Sequence, residues 1–342
     1  EVNDQFNCSF NEWFPFLSKN SIEAVALPIP IEVIEYLEHG TFRLPIEAIA
    51  PSTSNESSWS DGTCLLDNDE EPQEKEKHLD NRSGLPSFPE FSSKINQVLK
   101  TFGAVFVKLN WSAPLDAAWI APTKTLRCTT LEEIYLLLKS SDRVAADLNH
   151  LELLKTTKVT LQPYLVLKRW QEITPCTEFR CYVINGELLG ISQRDLSQYY
   201  QYIESARYSI RQEIKSLFNE HIRKSFVSYT FDVIYHGKGR VQIIDFGPYF
   251  PEETTALLFK HNELTGSIND PPELRYLGEN ITMQPNVARY FGVPRDIEAF
   301  YQSDNLLSTM DIIRRVSNIP QQLFMEHLSQ NGSMMLRIGL TD

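Results

Sequence analysis

Two aspartates, Asp232 and Asp245, stand inside otherwise apolar runs, Phe231 and Val233 flanking the first and Ile244 and Phe246 the second. A four-residue loop at 237–240 folds these runs into a hairpin with Asp232 directly opposite Asp245, and any even loop length keeps both on one face. Carboxylates about 5 Å apart repel unless a cation or a shared proton offsets them. Mg²⁺, a cation that takes oxygen ligands, satisfies such a pair. Pairing with Lys or Arg, or capping of a turn, satisfies it equally, and spacing alone leaves these readings open.

Lys108 ends the apolar stretch 104–107 and precedes Asn110-Trp111-Ser112-Ala113-Pro114. Its ammonium can reach a phosphate with Trp111 as a stacking face, or it is a solvated Lys beside a buried Trp. Arg180 and Arg194 lie in or just past a strand, where an Arg needs an anion: a phosphate, or a carboxylate such as Glu178. There is no G-x-x-x-x-G-K-[S/T], no G-x-G-x-x-G after a strand, no H-E-x-x-H and no G-x-S-x-G. Seven scattered His without ligand spacing speak against zinc. A phosphate site in this chain has to be built from side chains and sheet edges.

The elements that position these residues follow from local signals. The run 178–184 turns at Asn185-Gly186 into 187–191, and 229–235 turns through Gly237-Lys238-Gly239 into 241–246. Helical periodicity fills 203–224 between the two hairpins. Upstream the pattern predicts a strand at 22–27 and a helix over 31–39, begun by Pro30 and closed by Gly40. It then predicts a helix over 91–102 capped by Gly103 and a strand at 104–109. A helix follows from the capping box at Thr130-Leu131-Glu132-Glu133, and a strand within 158–170 around Tyr164-Leu165-Val166-Leu167. Antiparallel hairpins interleaved with helices make an α+β protein, not a doubly wound parallel sheet.

The chain divides into a folded N-terminal segment of the first lobe (1–50), an insertion (51–88), a first lobe (89–163), a second lobe carrying the aspartate hairpin (164–263) and a partly helical tail (264–342). The insertion is rich in Pro, Ser, Asn and Gly and carries the charge run 67–77, too little apolar surface to offset its ordering entropy, so disorder is expected there. In the tail, Leu306, Met310, Ile313 and Val316 have amphipathic helical spacing.

The 342 residues carry 32 Lys and Arg against 45 Asp and Glu, a formal charge of −13. That balance argues against direct nucleic-acid binding, which needs clustered Lys and Arg, and favours a basic protein surface as partner. No apolar stretch approaches the roughly 18 residues of a membrane span, so no membrane partner is expected. Residues 1–5 lack the basic and apolar regions of a secretory signal, and five Cys without a C-x-x-C pair are expected to be reduced thiols; a cytoplasmic location follows as an expectation.

Several runs, in order, resemble the signatures of the cell division cycle protein 123 family: Lys108-Leu109-Asn110-Trp111-Ser112-Ala113-Pro114, Glu178-Phe179-Arg180-Cys181, Gly190-Ile191-Ser192-Gln193-Arg194-Asp195 with Gln198-Tyr199-Tyr200, and Ile244-Asp245-Phe246. Cys8-Ser9-Phe10, Trp13-Phe14-Pro15 and Leu27-Pro28-Ile29-Pro30 are similar too. The resemblance implies an ATP-grasp-like fold with two lobes around a nucleotide cleft that holds ATP and Mg²⁺. It implies a cytosolic factor, monomeric before partner binding, that binds the gamma subunit of eukaryotic translation initiation factor 2 and promotes joining of the alpha subunit, with consequences for translation initiation and cell-cycle progression.

Carried over residue by residue, the resemblance implies that Lys108 and Arg180 bind phosphates and that Trp111 and Ala113 lie along the nucleotide. It implies that the strand from Tyr164 to Lys168 lines the adenine, with Val166 as a backbone contact, and that Asp116, Lys168 and Arg194 complete the nucleotide set. Asp232 and Asp245 become the metal ligands. Two positions depart from the family pattern: Gly247 stands where the family has an Asn that serves as a further metal ligand, and Cys176 where it tends to have Gly. The competing expectation is an ATP-grasp ligase that forms an acyl phosphate for an unknown acceptor; no residue is assigned a catalytic role.

Overall fold

In the computed structural model, residues 2–38, 42–49, 84–156, 161–223, 227–251, 254–265 and 272–279 are described. The chain opens with α1 (Val2–Asn7) and α2 (Phe10–Leu17), whose Phe10, Trp13 and Leu17 fall on one buried face. Next come β1 (Ala24–Pro28), somewhat later than the pattern suggests, and α3 (Ile31–Glu38). In α4 (Pro89–Phe102) a Pro begins the first turn, and Gly103, at φ 76°, returns its N–H to the Leu99 carbonyl. That left-handed cap is why a Gly follows the last periodic apolar residue.

After β2 (Val105–Lys108) and the short β3 (Arg127–Cys128), α5 (Leu131–Lys139) starts at Thr130, whose side chain accepts from the Glu133 N–H while Glu133 accepts in return. This is the reciprocal bond pair that the motif predicts. The chain continues through α6 (Asp142–Thr156), β4 (Tyr164–Arg169), β5 (Glu178–Ile184), β6 (Glu187–Gln193) and α7 (Gln201–Leu217), which ends in a wider π turn at Phe218–Ile222. The described part closes with β7 (Tyr229–Gly237), β8 (Arg240–Pro248) and β9 (Glu273–Arg275).

The strands form two sheets, four-stranded in the order β1-β4-β2-β3 and five-stranded in the order β8-β7-β5-β6-β9. Among the described residues the strand-to-strand pairings are antiparallel except β6 with β9. The α+β class expected from the hairpins holds. One face of the first sheet, with Val105, Val107, Leu165 and Leu167, packs into a core with Val33, Ile95, Leu99, Leu137 and Leu148 from α3 to α6. The other face turns towards the second sheet: Val166 joins Phe179, Cys181, Phe231, Val233 and Phe246 in a separate core with α2 and α7.

The sheets redraw two of the expected boundaries. β4 lies in the middle of the first sheet, between β1 and β2, so that sheet extends to Arg169 instead of ending before 164. Within the N-terminal segment, β1 belongs to the first sheet, but the Trp13 ring of α2 packs at a tilt against Phe246, centroids 4.8 Å apart, and joins the second core. Of the insertion expected over 51–88, residues 51–83 lie outside the described residues, as do Gly40, the strand start at 158–160 and the helical spacing beyond 303. The end of the insertion is ordered instead, with Phe88 buried in the first core and its N–H donating to Glu47 Oε2 at 3.1 Å, because Phe88 brings apolar surface that the rest of the insertion lacks. Among those described, no helix is long and apolar enough to cross a membrane.

The β7–β8 hairpin reaches the expected pairing by an unexpected route. Gly237 pairs with Arg240, so the turn is the two residues Lys238 and Gly239, both at positive φ, in place of a four-residue loop. Such a turn matches the twist of its strands. His236 is an extra residue on β7 and Ile244 an extra residue on β8; the two bulges cancel, and Asp232 faces Asp245.

Candidate active site

Two lysines reach this hairpin from the first sheet. Phe106 pairs with Lys168 and Lys108 with Val166, so alternation puts both ammonium groups on the face turned to the second sheet. Both are buried. Lys108 Nζ donates to Asp245 Oδ2. Lys168 Nζ lies 3.7 Å from the same oxygen and donates to the Ile244 carbonyl at 2.5 Å. The Phe10 ring centroid is 5.9 Å from Lys108 Nζ and 5.1 Å from Lys168 Nζ, an apolar floor with a weak cation–π attraction.

The second sheet supplies the other half. Arg180 faces Asp232 across β5 and β7 and clamps it with Nε to Oδ1 at 2.8 Å and Nη2 to Oδ2 at 2.7 Å. The Arg194 N–H donates to the Glu178 carbonyl, continuing the β5–β6 ladder beyond Gln193. Arg194 Nε, 3.6 Å from Asp232 Oδ2 and 3.8 Å from Glu178 Oε1, is buried without a hydrogen bond of its own. Glu178 is therefore not the partner of Arg180; Asp232 is.

This packing sets the charges. Burial pushes Asp232 up, but Arg180 and Arg194 outweigh it and hold the carboxyl below its ordinary range. Burial disfavours the charged form of Arg180 as well, and Asp232 reverses that, raising it. Burial pushes Glu178 up to about 7, with Arg194 opposing and Asp232 adding to the rise. Lys168 is brought down to about 8, first by burial and then by Lys108, against the pull of Asp245.

The loop after β2 is pinned by side chains that pattern reading did not single out. Buried Asn110 donates to Ser9 Oγ and to the Gln162 carbonyl, both at 3.0 Å, and accepts from the Tyr164 N–H at 2.8 Å. Asp147 takes the N–H groups of Trp111 and Ser112, at 3.3 and 2.8 Å, and desolvation raises its carboxyl nonetheless. On the other side of the site, buried Gln193 donates to the carbonyls of Asp195 and Gln198 and accepts from the Leu277 N–H, which fixes the chain that carries Arg194. The signal for both amides was a polar residue at the end of an apolar strand.

The expected site residues therefore fall into two groups, with Val166 apart from both. Lys108, Lys168, Arg180, Arg194, Asp232 and Asp245 come together. Trp111, Ala113 and Asp116 lie along the loop with their polar groups engaged: Trp111 Nε1 donates to the Gln5 carbonyl at 2.9 Å, the Ala113 carbonyl accepts from Arg143 Nε at 3.1 Å, and Asp116 accepts from Ser141 Oγ at 2.6 Å and the Arg143 N–H at 3.2 Å at the start of α6. Val166 sits mid-strand, laddered to Ala26 on one side and Lys108 on the other, its side chain buried.

Among the described residues no group of three His, Cys, Asp or Glu side chains is placed to hold a metal ion. Asp232 and Asp245 offer two facing carboxylates, fewer oxygens than Mg²⁺ takes, and the four cations beside them, Lys108, Lys168, Arg180 and Arg194, suit an anion that would bring further oxygen ligands. Gly247, opposite Thr230, offers no oxygen from a side chain, and a Cβ there would meet Thr230 Oγ1 at 3.2 Å. The donor set fits a metal–polyphosphate better than a bare ion.

Known proteins place the chain. The D123 family model matches residues 13–300. A translation initiation factor eIF2 assembly protein from Xenopus laevis is 34% identical over 326 residues, covering 90% of this chain and 94% of that protein. A cell division cycle protein 123 from Yarrowia lipolytica is 35% identical over 262 residues, covering 75% and 67%. The structure of Cdc123 from Schizosaccharomyces pombe superposes with a TM-score of 0.60 at 32% identity, covering 80% of this chain and 96% of that one. Both the sequence, along most of its length, and the overall fold thus lead to one conclusion: this chain belongs to the D123 family.

Proposed function

We propose that this chain is an ATP- and Mg²⁺-binding assembly factor for eukaryotic translation initiation factor 2, acting in the cytoplasm by binding the gamma subunit and promoting joining of the alpha subunit. The observation that carries the assembly role is the similarity over 90% of the chain to a protein named for assembling that factor. The nucleotide part is supported by the cluster between the sheets. Lys108, Lys168, Arg180 and Arg194 offer positive charge for phosphates, and Asp232 and Asp245 are opposed as ligands for one Mg²⁺. Asp232 and Asp245 would hold Mg²⁺, whose charge would offset that of the phosphates. With Gly247 where the family resemblance expects an Asn, Asp232 and Asp245 would be the two side chains left to hold the metal, which would weaken the site without abolishing it.

The test is reconstitution. Purified gamma and alpha subunits are mixed with and without this chain, and the joined pair is measured by gel filtration. The reading predicts faster or more complete joining with the wild-type chain and ATP, and loss of the gain with Asp232→Ala. Joining that is the same with and without the chain contradicts it.

A further inference from the structure

The groups expected to receive phosphate and the groups expected to receive metal are each other's partners. Lys108 donates to Asp245, and Arg180 closes two bonds on Asp232. An ammonium seated on a carboxylate oxygen occupies a lone-pair site that a metal ion would use, and it commits one of its three protons away from a phosphate. Lys108 is 1% exposed, so it cannot be displaced into water without new partners. A buried charge that loses its partner is strongly unfavourable.

We propose that these two ion pairs latch the site, so that it accepts a divalent cation and a nucleotide polyphosphate together and each of them poorly alone. This rests on the nucleotide reading above. A bare cation that takes Asp245 strands the Lys108 ammonium. A bare polyphosphate that draws Lys108 away leaves Asp245 facing another anion. Arriving together, metal satisfies the carboxylates while phosphate satisfies Lys108 and Arg180, and linkage requires the two affinities to rise by the same factor.

Lys168 is a control built into the fold. It is as buried as Lys108 and lies 3.7 Å from the same Asp245 oxygen, but its hydrogen bond goes to the Ile244 carbonyl. A general effect of positive charge on a metal site acts through both lysines. The latch acts chiefly through Lys108.

Mn²⁺ binding to the full chain, read by electron paramagnetic resonance with and without ATP, separates these accounts, with thermal melts confirming that each variant is folded. The latch predicts Mn²⁺ binding to the wild-type chain that ATP strengthens at least about tenfold. Lys108→Gln binds Mn²⁺ alone about tenfold more tightly than the wild type and gains little more from ATP, whereas Lys168→Gln moves the bare-metal affinity by less than about threefold. Where Lys108→Gln does not fold, Arg180→Gln reports the same release through Asp232. Equal tightening in Lys108→Gln and Lys168→Gln, or wild-type Mn²⁺ affinity indifferent to ATP while both bind, overturns the latch and leaves the nucleotide reading in place. Absence of both Mn²⁺ and ATP binding in the wild-type chain overturns that reading and the latch with it.

Discussion

Glu178 shows how strongly position decides chemistry at the level of single residues. Burial raises its carboxyl from the ordinary 4.5 to about 7, so between those values the folded chain holds a proton that the unfolded chain has released. The sign follows: this group's contribution to stability falls as pH rises from about 4.5 to about 7 and is level above that. Urea unfolding of wild type and Glu178→Gln at pH 5 and pH 8 checks it. The wild type should lose stability relative to the variant between the two values; parallel changes contradict the assignment. The apposition of Asp232 and Asp245 was legible because side-chain alternation and an even loop survive two compensating bulges. The partner of Arg180 was not, because Asp232 comes beside it only through the non-local β5–β7 pairing, while Glu178 is near in sequence.

The same division runs through the elements. Hairpins with Gly turns, the capping box at Thr130 and the Gly103 cap were readable because each is a local bond pattern. The place of β4 in the first sheet and the addition of β9 beside β6 were not, because neither neighbour is close in sequence. Gly190 marks one such contact: a Cβ there would meet the Phe259 ring at 2.6 Å, across chain that local pattern does not join. Gly190→Ala should therefore cost about 1–3 kcal/mol, seen as a lower melting temperature, and an unchanged melt means that Phe259 moves aside freely. Asn110→Ala removes a buried amide that ties α2, β4 and the loop after β2 together through three hydrogen bonds of 3.0 Å or less. It should cost about 1–3 kcal/mol and lower ATP affinity as well, because the loop that follows Lys108 loses its anchor.

For the whole molecule, two sheets facing each other across a shared charge cluster make the site a property of their apposition: Lys108 and Lys168 come from one sheet, Arg180, Asp232 and Asp245 from the other. The net charge of −13 adds a prediction for partner binding. Docking of an acidic chain onto a basic patch of the gamma subunit should weaken between about 50 and 300 mM salt, and affinity that is flat over that range contradicts electrostatic docking. The account as a whole turns on whether the cluster takes a metal–nucleotide. Isothermal titration of ATP into the purified chain, with and without Mg²⁺ and repeated on Asp245→Ala, tests this most directly. The account predicts binding that needs Mg²⁺ and is weakened at least about tenfold by the substitution. No heat of binding under either condition, or equal binding by wild type and Asp245→Ala, contradicts it.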